Sequence, residues 1–257
     1  MENKRLAIIA DGGGVGKTTI TINIAYVAYQ KGKSVAILDL DNNLSINNFT
    51  GVNKVAKNQS ILQIFEDDFT GDWNLISLFD SDYKVALVPG SEYLSSEILT
   101  NKRRKENLLK RRLLEYPLPY DLVIFDNRGG SDALVDNSIV AATDILIPTR
   151  VGAKTATISE TIVKIAKSVR ELELNPSPRI LGVVPNEKEQ TRKVHEQIIA
   201  GAKKSLKTQG IKMYPDIPHN GWICNSNSWQ IPIAAHRPGD SYIEVFKEIV
   251  EDIFNEG

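Results

Sequence analysis

The stretch GGGVGKTT, residues 12–19, carries residue types that hold phosphate. Glycines let successive backbone N–H groups turn inward around an anion, because no Cβ blocks the approach. A helix beginning at Lys17 would add unsatisfied N–H donors and the positive end of its dipole. The Lys17 ammonium can reach outer phosphates, and the Thr18 hydroxyl can ligate Mg²⁺. Gly12, Gly13, Gly14, Val15, Gly16, Lys17, Thr18 and Thr19 are therefore the expected phosphate-binding residues. The strict Walker A pattern G-x-x-x-x-G-K-[ST] would need glycine where Asp11 stands.

Two other stretches supply carboxylates. AILDLDNN places Asp39 and Asp41 at the end of an apolar run. Side chains two apart in a strand share a face. DLVIFDNRGG ends a second apolar run on Asp126. An acid at that position holds Mg²⁺, often through water. Ligands of open α/β sheets bind at the C-terminal ends of strands. Lys17, Thr18 and Asp126 thus point to a nucleoside triphosphate with Mg²⁺, expected metal partners being Thr18 and Asp126.

These residues need strands that end together. Six short runs rich in Val, Ile and Leu meet that need: 5–10, 34–40, 84–90, 121–126, 144–149 and 180–186. Continuous apolar runs fit strands covered on both faces. Residues 17–33 show helical spacing through Ile20, Ile24, Val27 and Ala28, with Gly32 as a stop. The alternation predicts a doubly wound α/β fold, a mostly parallel sheet with helices on both faces. No repeat or linker interrupts it, so a single domain over 1–257 is expected.

Composition narrows the function classes. Lys plus Arg is 31 and Asp plus Glu is 32, so no global charge draws the chain to nucleic acid. Cys224 is the only cysteine. A disulfide framework is excluded, and so is an iron–sulfur carrier, since even a dimer would supply only two thiolates. The apolar run at the N-terminus, Leu6 to Ala10, is too short for a signal peptide. A cytoplasmic protein is expected.

GGVGKTT, ILDLDNN, YDLVIFDNRGG and AATDILIPT occur in the order seen in the ParA/MinD family of deviant Walker ATPases, which nearly the whole chain resembles. The resemblance implies slow ATP hydrolysis in an ATP-dependent sandwich homodimer that positions cargo, with an adaptor protein of ParB or McdB type. It implies that Asp41 orients the attacking water, that Asp39 and Asp126 support Mg²⁺, and that Asn186 and Pro218 lie in adenine-contacting segments. The tail YPDIPHNGWICNSNSWQIPIAAHRPGDSYIEVFKEIVEDI resembles the family's C-terminal strand, loop and helix.

One departure stands out. The family's loop normally opens on a lysine that reaches the partner's phosphates, and here that position is Gly12. Either the chain is a weak ATPase, or a cation enters from elsewhere. Lys154 is the first choice and Arg150 the second. Lacking the loop lysine and carrying one in the C-terminal half resembles the McdA-type branch, which spaces carboxysomes over the nucleoid. Plasmid or chromosome partition is the alternative, and a MinD-like membrane cycle ranks below it. Two basic stretches suit either non-specific DNA or plain solvation: 101–112, expected as a helix with exposed cations, and the set Lys188, Arg192, Lys193, Lys203, Lys204, Lys207 and Lys212. The family resemblance favours DNA. The last helix places Tyr242, Val245, Phe246, Ile249, Val250 and Ile253 on one face and acids on the other. Acidic charge opposes anionic lipid, so this helix is expected to pack on the core and no membrane partner is expected.

Overall fold

The computed structural model describes residues 3–100, 102, 105–152, 158–174, 176–187 and 193–255. The six apolar runs all form strands: β1 (Lys4–Ile8), β2 (Val35–Leu40), β4 (Val85–Val88), β5 (Leu122–Asn127), β6 (Asp144–Arg150) and β7 (Arg179–Asn186). A short β3 (Ile76–Ser77), absent from the sequence reading, joins them at one edge. Its two residues give too little pattern to register as a strand. Among the described residues the sheet order is β3-β4-β2-β5-β1-β6-β7. Only the β3–β4 pair is antiparallel.

Alternation along each strand feeds two cores. Ala7, Ala36, Leu38, Val123 and Phe125 face α3 (Leu108–Glu115), α4 (Ala133–Ala141), α5 (Ile158–Glu171) and α6 (Lys193–Thr208). Leu6, Ile8, Val35, Ile37, Leu122 and Ile124 face α1 (Lys17–Gln30), α2 (Ser45–Thr50), α8 (Ile233–His236) and α9 (Ile243–Phe254). A further helix, α7 (Gly221–Trp229), precedes α8. The doubly wound fold follows from this two-sided burial.

The register sets the chemistry. Asp39 of β2 lies beside Asp126 of β5, and Ile8 of β1 also pairs with Asp126. The end of β1, where the glycine loop begins, and both carboxylates therefore meet at one edge.

Three expectations need adjustment. Of the stretch 101–112 expected as a helix, residues 101, 103 and 104 lie outside the described residues, 105–107 form a 3₁₀ turn and α3 begins at Leu108. Its Arg112 is buried rather than exposed, donating to the carbonyls of Ile64 at 3.0 Å and Glu66 at 2.5 Å. A guanidinium has enough donors to be buried when backbone acceptors surround it. The segment MYPDIP makes an isolated bridge, Met213 to Val183, instead of a strand. Pro215 and Pro218 remove the donors a ladder needs. Lys212 leaves the basic set, because it pairs with Glu248 at 2.7 Å and with Asp252.

The last helix behaves as expected. Tyr242, Val245, Phe246, Ile249, Val250 and Ile253 are all buried, in the core that α1 shares. Among the described residues no helix is long and apolar enough to cross a membrane.

Candidate nucleotide site

The chain leaves β1 into the glycine loop and enters α1 at Lys17. Gly16 caps that helix at φ 89°, a left-handed conformation that a side chain would resist. Lys17 is buried, and its Nζ donates to the Gly12 carbonyl at 3.2 Å. Three neighbours brace the loop. The Gly130 N–H donates to the Ala10 carbonyl at 3.2 Å. The Asn186 amide donates to the Val15 carbonyl at 2.9 Å. Lys164 of α5 forms an ion pair with Asp11. Gly129 fits closely against the loop, since a Cβ there would stand 2.7 Å from the Gly12 carbonyl carbon and 2.8 Å from the Gly13 nitrogen.

The carboxylates stack behind the loop. Asp126 accepts from the Thr18 hydroxyl at 2.8 Å and from the Thr21 hydroxyl at 2.9 Å, one on each oxygen. Burial pushes its carboxyl up to about 6, against the pull of those hydroxyls and of Lys17. Asp39 is fully buried. Its Oδ1 accepts from the Asp41 N–H at 3.0 Å, while its Oδ2 is a buried oxygen with no hydrogen-bond partner. Burial first, and then the Asp126 charge, hold its carboxyl well above the usual range. Asp41 is also buried, at 8% exposure, but it lies at the wall of a cleft of about 340 Å³. Its Oδ1 accepts from the Asn43 N–H at 3.0 Å and from the Asn43 amide at 2.9 Å. Gly13, Gly14, Lys17, Thr18 and Asp41 line that cleft together, with Ser45, Asn48 and Phe49 from α2.

A cleft of this kind can take a polyphosphate. Loop N–H groups, the α1 N-terminus and Lys17 supply positive potential on one side. Asp41 supplies an acceptor on the other. The acids beneath fit Mg²⁺. Asp39 Oδ2 is an orphaned buried oxygen, which costs stability unless a cation or donor meets it. Thr18 donates a hydrogen bond to Asp126 and so keeps its oxygen lone pairs for a metal.

A family model described as an AAA domain, AAA_31, matches residues 3–180. The chain belongs to this ParA/MinD-like family. Among curated relatives of the ParA/MinD-like chain, sporulation initiation inhibitor protein Soj of Bacillus subtilis is 26% identical over 258 residues, covering 99% of both chains. Maintenance of carboxysome distribution protein A of Synechococcus elongatus is 25% identical over 175 residues, 67% of this chain and 68% of the relative. The fold is also that of the solved Cyanothece McdA–ATP complex, with a TM-score of 0.87 and 22% identity across 99% of this chain and 98% of that one.

Within this ParA/MinD-like frame, the loop residues, Asp39, Asp41 and Asp126 converge at one site. Asn186 touches the loop from β7, and Pro218 follows Ile217, whose N–H donates to the Pro185 carbonyl at 2.8 Å. Arg150 ends β6 with an ion pair to Glu187 at 2.7 Å. Lys154, Lys188 and Arg192 lie outside the described residues. Sequence reasoning missed Thr21, Asn43, Gly129 and Lys164. Thr21 stands three residues after Thr18 on α1 and so shares its face. Asn43, two residues after Asp41, had the spacing of an Asx turn. Gly129 and Lys164 carried no local signal, since only the fold brings them to the loop.

Proposed function

We propose that the chain is a single ATPase domain over residues 1–257 that binds ATP and Mg²⁺ in this cleft and closes on a second copy as a sandwich homodimer. The observation that carries the reading is Asp41, held by Asn43 on the wall of the cleft that Lys17 and Thr18 line. Gly12 to Thr19 cradle the phosphates, and Lys17 neutralises the outer ones. Thr18 holds Mg²⁺, with Asp126 orienting its hydroxyl and Asp39 contributing the buried charge. When bound, Mg²⁺ offsets the charge that develops on the transferring phosphoryl group. Asp41 accepts a hydrogen bond from the attacking water and orients it in line. Asn186, which touches the loop from β7, and Pro218 are the adenine contacts of this reading.

The dimer then binds nucleoid DNA without sequence preference, an adaptor of McdB or ParB type stimulates hydrolysis, and the cycle positions cargo such as carboxysomes from the cytoplasm. Partition of a plasmid or chromosome is the second reading, supported by the likeness to the chromosome-partitioning ATPase Soj of Thermus thermophilus, 24% identical across 97% of this chain. The MinD-like membrane cycle loses support because the apolar face of α9 is buried in the core.

Size-exclusion chromatography with ATP and Mg²⁺ tests this reading. Wild type is expected to shift to a dimer transiently. Asp41→Ala, which keeps the phosphate contacts but loses the water acceptor, is expected to stay dimeric and to release phosphate about a hundredfold more slowly or worse, the usual scale of a lost general base. Monomers in both samples would sink the sandwich.

A further inference from the structure

Asp11 is anomalous where it stands. It heads the phosphate loop, directly before Gly12, and its side chain is only 14% exposed. A carboxylate there repels any polyphosphate that the loop receives, and partial burial weakens the solvent screening of that repulsion. The structure places one cation against it, Lys164 of α5. Neither residue lines the phosphate cleft, so neither is needed to touch nucleotide. Their contact nonetheless reaches the site by a short path. Asp11 is bonded to Gly12, and the Gly12 carbonyl receives the Lys17 ammonium at 3.2 Å. On the same flank, Gly130 donates to Ala10. The loop's leading edge is thus tied to α5 by charge and to the β5–α4 turn by backbone.

We propose that Lys164 is a positioning residue for nucleotide: its ammonium cancels the Asp11 charge and fixes the head of the loop, so that this end of the loop sets no negative charge against a triphosphate. This rests on the nucleotide reading above. It also gives the loop a control point remote from the phosphates, because movement of α5 would expose the Asp11 charge to them.

The test is titration of the full chain with a fluorescent ATP analogue in Mg²⁺ at low and high salt. Lys164→Ala is expected to weaken binding about tenfold at low salt and less at high salt, as an unscreened like charge dictates. Lys164→Arg should bind like wild type. Asp11→Asn should bind at least as tightly as wild type, and Asp11→Asn/Lys164→Ala should return to within about twofold of it. Recovery in the double variant separates charge cancellation from packing by the lysine stem. A Lys164→Ala chain that binds as wild type overturns the proposal, as does a double variant as weak as the single one, or a loss in Asp11→Asn. Wild type that binds no nucleotide overturns the nucleotide reading itself, and this proposal with it. A binding wild type with an unaffected Lys164→Ala overturns this proposal alone.

Discussion

Asp126 shows how a single residue is tuned by its place. Both of its oxygens accept threonine hydroxyls, yet burial still raises its carboxyl to about 6. Between the ordinary carboxylate value and that raised one, the folded chain holds a proton that the unfolded chain has already released. Stability contributed by this group therefore falls as pH rises through the window, and Asp39 acts in the same direction. Asparagine at 126 carries no such charge. The melting temperature of Asp126→Asn, measured without Mg²⁺, should gain on wild type as pH rises from about 4 through about 6. Saturating Mg²⁺ and ATP should reverse the gain, because bound cation favours the ionised acid. A difference in melting temperature that stays flat with pH would contradict the assigned burial effect.

At the scale of elements, the loop is a junction rather than an independent motif. β1 delivers it, α1 closes it, and β7 and α5 brace it through Asn186 and Lys164. The turn after β5 lies so close that only glycine fits at residue 129. The surface helix α6 has a different character. Its Lys203, Lys204 and Lys207 are exposed, whereas Lys212 beyond its end is committed to Glu248 and Asp252. If α6 is the DNA-contacting face, reversing all three charges should weaken binding to any duplex sequence and flatten its salt slope by about three. Electrophoretic shifts with ATP at several salt concentrations read this out. Unchanged binding would assign α6 to solvation alone.

At the scale of the whole molecule, the proposed sandwich dimer has to balance charge. Two triphosphates would face each other, and Gly12 supplies no lysine to offset them. Arg150 is engaged with Glu187, which leaves Lys154 as the first cation to test. A charge-assisted phosphate contact contributes about 1.5–3 kcal/mol. Lys154→Ala should then weaken ATP-dependent dimerisation by roughly one to two decades at constant fold. Analytical ultracentrifugation with ATP measures it. Wild-type dimerisation by this variant would move the search to Arg150 and weaken the carboxysome reading.

Local chemistry was legible in the sequence wherever neighbouring residues determine it. The loop, the strand-ending acids and the apolar face of α9 depend on spacing that one segment carries by itself. The six buried strands were legible for the same reason, because burial on both faces demands continuous apolar runs. Tertiary structure alone decided what depends on distant partners. The two-residue edge strand exists only because β4 offers it a ladder, and Arg112 is buried only because the carbonyls of Ile64 and Glu66 converge on it. Lys164 reaches Asp11 across 153 residues, and Gly129 meets Gly12 from another strand's end. Such contacts arise from the order in which strands lie in the sheet, which residue spacing along one segment does not encode.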